Sequence, residues 1–260
     1  MPTVPSVCMS ELAWDEYQRR LREEDAIVFV PVGAVEQHGY HLPLGTDWMM
    51  ARYMARRVAA KVGGVVAEPI AYGATSQIRT GGGPHRCGTT SLNAETLIAL
   101  LHDVLVGIGR HGARKIAVID SHFENRFFLD EACHRAQDTL ALRGHEARIL
   151  KMLYAERINP ETMAAVYRGM GDPPGLDLEH GGVLETAMML YCHPELVDMS
   201  RMVDEARPDF PPYDVYPVNP DWVPASGCLS SGRTATREIG ELLVEEFVGH
   251  VTDAVRSEFR

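Results

Sequence analysis

A short segment near the start of the chain, GAVEQHGYHLPLGTDW at 33–48, is rich in side chains that bind metal ions. It contains Glu36, His38, His41 and Asp47. Glu36 and His38 are two residues apart, so in an extended chain their side chains point to the same side. A loop needs polar atoms but not this many metal ligands at fixed spacing, so the segment indicates either a functional site or a chance grouping.

A second cluster favours the functional site. In SHFEN, at 121–125, His122 and Glu124 repeat the spacing of the first pair. With Asp47 added, the two clusters offer three carboxylates and two imidazoles, enough for two divalent ions with one carboxylate bridging. Such mixed oxygen and nitrogen ligands suit zinc or manganese. Two ions about 3.5–4 Å apart polarise a carbonyl and activate a shared water, which is hydrolytic chemistry.

A third polar group, GLDLEHGGVLET at 175–186, precedes an apolar helical segment. It contains Glu179, His180 and Glu185 around a Gly-Gly pair. A histidine here is suited to deliver a proton to a leaving nitrogen, because its ordinary pKa lies near neutrality. The alternative for His180 and Glu185 is a helix cap with a tight glycine turn.

Four further polar residues are expected to support the ligands rather than bind ions. His41 and His85 are candidates for hydrogen bonding to the ligand side chains, with a purely structural role as the alternative. Asp120 and Asn125 are expected to hold the imidazole of His122 in the same way. The remaining histidines are expected to be structural.

Apolar strands alternate with amphipathic helices along the chain. Strands are predicted over 26–33, 65–73, 115–120 and 147–153, and helices over 47–62, from about Asn93, and from after SHFEN to about Arg143. This alternation predicts an α/β fold in a single domain over 1–260, with a mostly parallel sheet flanked by helices on both faces. Ligands gather at the carboxyl ends of such strands. Both clusters follow predicted strands, so we expect them to meet.

Composition narrows the possible partners. The 260 residues are 45% hydrophobic and carry a net charge of −11, from 25 basic and 36 acidic residues, so a nucleic acid partner is not expected. No stretch approaches the roughly 18 apolar residues of a membrane span, and no secretory signal is apparent. Five widely spread cysteines are expected to be reduced thiols. The sequence therefore predicts a cytoplasmic protein.

Several motifs in order resemble the creatininase family of metal-dependent amidohydrolases. They are VGAVEQHGYHLP…TD, GGGPHRCGTTSL, SHFEN, DLEHGGVLET and the tail FPPYDVYPVNP…LSSGRTATREIGE. The resemblance runs from about Glu11 to the C-terminus. It implies a creatininase-like fold that assembles as a homohexamer. The proline-rich arm at about 207–225 is expected either to form contacts in that assembly or to be a rigid surface loop.

The resemblance also implies roles for individual residues. A first ion, often manganese, is held by Glu36, Asp47 and His122, and a second, usually zinc, by His38, Asp47 and Glu124, so that Asp47 bridges. His180 is the implied proton shuttle and, with Glu124, the implied catalytic pair. The implied substrate contacts are Ser76, Phe123, Leu176 and Asp177.

The chain departs from the family pattern around the substrate. Phe123 replaces a tyrosine, and Tyr154 and Leu176 each replace a tryptophan. Leu176 can cover a pocket, but it cannot stack on a planar ring as an indole does. Asp120 and Ser121 also replace the family's usual Asn-Gly. We therefore expect intact metal machinery beside an altered substrate pocket.

Together, these features predict a binuclear metal-dependent amidohydrolase that opens a small cyclic amide, with creatinine to creatine as the first expectation. The alternative within the family is hydrolysis of another lactam, imide or formamide. A non-catalytic metal-binding protein is the alternative of a different class. The candidate proton donor His180 argues against it, because binding alone needs no shuttle.

Overall fold

The computed structural model describes residues 6–168, 170 and 173–260, and the side chain of Asp177 lies outside the described part. Four strands form one sheet: β1 (Val28–Val32), β2 (Val65–Val66), β3 (Lys115–Asp120) and β4 (Arg148–Leu153). All three pairings are parallel, and the strand order is β2-β1-β3-β4. The predicted α/β fold with a parallel sheet is therefore confirmed.

Eight α-helices are assigned in the described residues. They are α1 (Trp14–Glu23), α2 (Thr46–Val62), α3 (Ile78–Gly81), α4 (Ala94–Arg110), α5 (Arg126–Leu142), α6 (Pro160–Val166), α7 (Val183–Cys192) and α8 (Arg237–Glu258). Within these described residues, no helix is both long and apolar enough to cross a bilayer.

Apolar side chains pack on both faces of the sheet. Along β1, Phe29 packs with α2, α7 and α8 on one face, while Val28 and Val30 pack with α4 and α5 on the other. Successive side chains of a strand point to opposite faces, so a strand covered on both sides is apolar throughout. This explains why β1 appears in the sequence as an uninterrupted apolar run.

The second predicted strand is shorter than expected. Only Val65 and Val66 pair regularly with β1, and Ile70 forms an isolated bridge to Val32. Pro69 lies between them, and proline has no N–H to donate to a ladder. The glycine-rich segment that follows contains the short helix α3.

The proline-rich arm, residues 207–225, packs against α3. Its apolar side chains cluster with Ile78 of that helix and with Leu229. The arm residues in this cluster are Phe210, Val218, Trp222 and Val223. Arg79 of α3 also forms a 3.2 Å ion pair with Asp214 of the arm. One face of the arm is therefore fixed to the body, whereas Tyr216 is 78% exposed.

Candidate active site

The predicted clusters meet at the carboxyl edge of the sheet. Glu36 and His38 lie in the loop after β1, Asp47 lies in the first turn of α2, and His122 follows β3. All four side chains are buried. They line a cavity of about 230 Å³, which also receives residues from the start of α7. The parallel topology thus brings together residues that are far apart in the chain.

Glu36, Asp47 and His122 form a first set of potential ligands. Nδ1 of His122 lies 3.3 Å from Oε2 of Glu36 and 3.3 Å from Oδ2 of Asp47. Atoms that bind one zinc ion, each about 2.0–2.2 Å from it, lie about 3.3–3.5 Å apart in a tetrahedral shell. Nε2 of His122 donates to the carbonyl of Ala74 at 3.2 Å, which leaves Nδ1 free to accept. The backbone thereby fixes the tautomer that a metal ligand requires.

His38, Asp47 and Glu185 form a second set beside the first. Nε2 of His38 lies 3.2 Å from Oδ1 of Asp47 and 3.6 Å from Oε1 of Glu185. Nδ1 of His38 donates to the carbonyl of Glu36 at 3.1 Å. The second oxygen of Glu185 accepts from the Gly181 amide at 2.7 Å, which orients the carboxylate. The two oxygens of Asp47 therefore face different sets, as a bridging carboxylate would.

Unpartnered buried atoms support the assignment of metal sites. Within the described residues, Oε1 of Glu36, Nε2 of His38 and Oδ2 of Asp47 are buried and have no hydrogen-bond partner. A buried polar atom without a partner costs about 1–3 kcal/mol or more. Cations bound to the two adjoining sets would complete the interactions of these three atoms and remove that cost. Carboxylate and imidazole donors without thiolates suit zinc or manganese.

The electrostatics of the site agree with this arrangement. Burial raises the pKa of Glu36 to about 7. Burial alone would also raise the pKa of Asp47, but the charges of His38 and His122 outweigh it and hold that pKa below its usual range. Burial opposes the charge of both imidazoles, yet neighbouring carboxylates raise the pKa of each well above its ordinary value. The buried carboxylates thus favour positive charge at this site, as a binding site for divalent ions requires.

Glu124 does not join the second set. One of its oxygens accepts from the hydroxyl of Thr80 and from the Gln77 amide. The other lies 3.6 Å from Nε2 of His122, the ring nitrogen that faces away from the first set. The carboxylate placed beside His38 and Asp47 is Glu185. In the sequence, Glu185 was part of the third polar group, with a helix cap as its alternative role, and no spacing rule linked it to His38.

His180 lines the same cavity beside His38. Its Nε2 donates to the carbonyl of Gln37 at 2.6 Å, and its ring lies 4.4 Å from the ring of His38, centroid to centroid. Burial and the charge of His38 hold the pKa of His180 well below its ordinary value. In the described part of the chain, no hydrogen bond involves its Nδ1, so that nitrogen is available to exchange a proton with a bound ligand.

The residues expected to support the ligands form hydrogen bonds mainly with backbone groups. Oδ1 of Asp120 accepts from the His122 amide at 3.2 Å and from the Asn125 side chain at 2.9 Å, so neither residue holds the imidazole as predicted. His41 contacts Thr186 at 2.9 Å instead of a ligand side chain. His85 is exposed. The imidazole of His122 is held by a backbone carbonyl, which sequence patterns do not indicate.

The predicted substrate contacts differ in their placement. Phe123 and Leu176 line the cavity and are 50% and 44% exposed. Ser76 is buried, donates to the Gly81 carbonyl at 2.9 Å and accepts from the Gly83 amide, and it does not line the cavity. Tyr154 lines the cavity and packs its ring against Phe247. The prediction for Asp177 falls outside the described side chains.

The backbone of Gly81 lies close to the Glu36 carboxylate, so a substitution at Gly81 tests whether Glu36 binds metal in the first set. A Cβ at this position would press against Oε1 of Glu36 and lie 2.6 Å from Oγ of Ser76. Gly81→Ala should therefore displace the Glu36 carboxylate and weaken binding of one ion by roughly 10- to 100-fold, the usual cost of disturbing the support of a ligand. Zinc titration measures this.

Gly107→Ala is the matched control for Gly81→Ala. A Cβ there meets no atom within 4 Å, and the position lies inside α4. Alanine in a helix interior is expected to stabilise the fold by about 0.5–1 kcal/mol and to leave metal affinity unchanged. Unaltered zinc affinity in Gly81→Ala would contradict the placement of Glu36 in the first set.

A parallel α/β sheet whose carboxyl edge holds two adjoining carboxylate–imidazole sets defines a metal-dependent hydrolase. Comparison with known proteins specifies the family. The family model described as "Creatininase: Creatinine amidohydrolase" matches residues 10–255. The chain belongs to the creatininase family, as its motifs indicated.

Individual relatives agree over nearly the full length. The chain is 40% identical to creatinine amidohydrolase of Pseudomonas putida in an alignment of 259 residues that covers 98% of each protein. It is similar to a solved Mn creatininase with a TM-score of 0.94 and 40% identity, covering 98% of this chain and 99% of that one. A mutant creatininase of the Zn–Zn type is similar with a TM-score of 0.95, the same identity and the same coverage.

Proposed function

We propose that the protein is a binuclear metal-dependent amidohydrolase that hydrolyses creatinine to creatine. The observation that carries this proposal is the pair of adjoining ligand sets that share Asp47. The identity of 40% to creatinine amidohydrolase over nearly the whole chain supports creatinine as the substrate. The cavity of about 230 Å³ suits a ligand smaller than those of typical pockets, which measure about 300–1,000 Å³.

The residues of the cavity would hold the two metal ions and exclude bulk water from the reaction. Glu36, Asp47 and His122 would hold one ion, and His38, Asp47 and Glu185 the other. When bound, two such ions polarise an amide carbonyl and lower the pKa of a water between them. The buried walls of the cavity strengthen these electrostatic effects by excluding bulk water. Opening of the ring then adds one water across the C–N bond and requires a proton at the leaving nitrogen.

His180 is assigned to that proton transfer. Its Nδ1 forms no hydrogen bond within the described residues, so it can first accept the proton that the attacking water loses. It then returns this proton to the leaving nitrogen, and the group ends the cycle unchanged. The hydrogen bond from Nε2 to Gln37 fixes the ring so that Nδ1 can act in both steps. The carboxylate of Glu124, close to the first set, is proposed to assist in catalysis.

The central experiment measures turnover and metal content on the same sample. The purified protein is loaded with zinc or manganese, assayed with creatinine, and analysed for metal per chain. We expect creatine formation that disappears on chelation and returns on adding either metal, with two ions per chain at full activity. Absence of creatine formation at two ions per chain would overturn creatinine as the substrate.

The identity of the third ligand in the second set has its own test. Glu185→Ala should reduce the bound metal from two ions to one per chain. Loss of an outer partner of a ligand costs about 10–100-fold in affinity, so loss of a ligand should cost at least roughly 100-fold. Metal analysis after dialysis checks this.

Glu179→Gln serves as the control for Glu185→Ala. Glu179 lies in the same segment, and burial raises its pKa to about 8, so glutamine replaces a carboxyl that is already largely uncharged. We expect this variant to keep two ions. Retention of both ions in Glu185→Ala would assign the second set to another carboxylate, with Glu124 as the next candidate.

The altered pocket predicts weak binding of creatinine. Aromatic stacking adds about 0.5–1.5 kcal/mol per ring beyond burial. Leu176→Trp should therefore lower KM for creatinine by roughly 2- to 10-fold, since Leu176 lines the cavity. Leu142→Trp, at a side chain that is 89% exposed and outside the cavity lining, is the control. A higher KM in Leu176→Trp would favour the alternative that the pocket is shaped for another lactam, imide or formamide.

We also propose that the protein is a cytoplasmic homohexamer. The five cysteines are free thiols, which supports a reducing compartment. The exposed face of the proline-rich arm, including Tyr216, supports contacts between subunits. Light scattering of the intact protein tests the oligomeric state.

A further inference from the structure

One ion pair on the cavity wall has no role in the two ligand sets. Nη2 of Arg126 lies 2.8 Å from Oε1 of Glu156, and both residues line the cavity. Arg126 begins α5, shortly after β3, and Glu156 follows β4. The pair therefore lies at the same edge of the sheet as the potential metal ligands. Its side chains are 42% and 53% exposed, so it borders the opening to solvent.

Neighbouring groups hold Arg126 in place. Its guanidinium carbon lies 5.9 Å from the centroid of the Phe127 ring. Its backbone carbonyl accepts from Nζ of Lys151 at 3.2 Å, and Lys151 is itself paired with Asp130 at 2.6 Å. The side chain and the backbone of Arg126 are thus both anchored. A guanidinium oriented in this way loses less entropy when it binds a ligand.

The guanidinium has hydrogen-bonding capacity to spare. It carries five N–H donors in a planar fork. In the described part of the chain, Glu156 is the one carboxylate paired with it. The remaining donors are available to an acceptor in the cavity. A carboxylate suits this fork best, because two parallel N–H···O bonds form with one group.

Charge within the cavity points to the same kind of ligand. Among the lining residues that the structure describes, Arg126 is the one arginine or lysine. Six carboxyl groups also line the cavity, and divalent ions in the two sets would offset much of their charge. An anionic substituent entering the cavity would then meet its most favourable fixed partner at Arg126, away from the scissile amide.

We propose that Arg126 determines specificity by binding a carboxylate carried on the ring of the substrate. The enzyme then hydrolyses cyclic amides that bear an acidic substituent, in addition to creatinine. This inference rests on the proposed amidohydrolase function. Ring opening adds one water across the amide C–N bond and yields a carboxylate and an N–H group on the released nitrogen, and Arg126 takes no part in that step. Glu156 competes with the substrate for the guanidinium and so limits the preference.

The test uses two probes that differ by one carboxylate, dihydroorotate and dihydrouracil. Both are cyclic amides, so the ratio of their kcat/KM values isolates the contribution of the substituent. The ratio is measured for the zinc-loaded wild type and for Arg126→Gln, Glu156→Gln and Arg135→Gln. Calorimetric Kd values for both probes provide a second readout that does not require turnover. Arg135 is the matched control, because it lies on the same helix and pairs with Glu131 outside the cavity.

We expect the wild type to favour dihydroorotate by about 10-fold, the lower end for a hydrogen-bonded charge pair, since Arg126 is partly exposed. Arg126→Gln should bring the ratio close to one, mainly through KM. Glu156→Gln should shift the ratio the other way, by roughly 2- to 5-fold, because an exposed competing ion pair is removed. Arg135→Gln should match the wild type.

Two results overturn the inference. One is a wild type that shows no preference for dihydroorotate in either kinetics or Kd. The other is a preference that persists in Arg126→Gln, which would place the carboxylate on the metal ions instead. The creatinine assay is independent of both results. A protein that prefers dihydroorotate through Arg126 but does not open creatinine would refute the proposed substrate and leave the role of Arg126 intact.

Discussion

Asp47→Ala is expected to remove both bound ions and to abolish measurable hydrolysis. Asp47 is the one residue placed in both ligand sets, with Oδ1 facing His38 and Oδ2 facing His122. Each set would be left with two protein ligands, below the three that catalytic zinc sites use. Metal analysis after dialysis and the creatinine assay on the same samples measure the two losses together.

The control for Asp47→Ala is His102→Ala. His102 lies on α4 and contacts Asp103 and Thr139, away from the cavity. This variant should keep its metal and its activity. Two ions per chain retained in Asp47→Ala would refute the bridging role. Loss of one ion with the other retained would show that Asp47 belongs to a single set.

His180→Ala is expected to retain both ions while kcat falls by roughly 10²–10⁴-fold, the usual contribution of general acid–base catalysis. The structure supports this separation because His180 lies outside the two ligand sets that share Asp47 and is held by the carbonyl of Gln37. KM should change little, since the loss falls on the transition state. Steady-state kinetics and metal analysis give the two required readouts.

Added imidazole provides a further check on His180→Ala. The truncation leaves space in the cavity for a small base, so imidazole should restore part of kcat in this variant and have no such effect on the wild type. Loss of an ion in His180→Ala would instead place His180 among the ligands. The geometry would allow that role, because His180 lies near Glu36 and His38 in a further group of potential metal ligands.

Much of the fold could be predicted from the sequence because the burial pattern is strong. β3 was expected over 115–120 and has those bounds, and α2 begins one residue before its expected start. Both elements are specified by local apolar periodicity and by turn residues at their ends. The strand expected over 65–73 is shorter in the structure. The segment is largely apolar, but Pro69 has no N–H to donate and interrupts the pairing.

The candidate site was less predictable where tertiary packing determines which side chains become neighbours. Glu36 and His38 share a short spacing that the sequence displays, whereas Glu185 approaches His38 only because α7 packs beside α2. Several carboxylates follow the strands, and nothing in their spacing indicates which one reaches His38. The same applies to Arg126 and Glu156, which meet because β3 and β4 are adjacent in the sheet.

The packing of the proline-rich arm on α3 has a consequence for how the protein behaves on dilution. α3 carries Thr80, which holds Glu124, and Gly81, which lies against Glu36. The arm supports this helix through the Ile78 cluster and the Arg79–Asp214 pair. If neighbouring subunits clamp the exposed face of the arm, dissociation would loosen that support. Metal retention would then depend on protein concentration, and a dilute sample would lose activity by leaching ions before it unfolds.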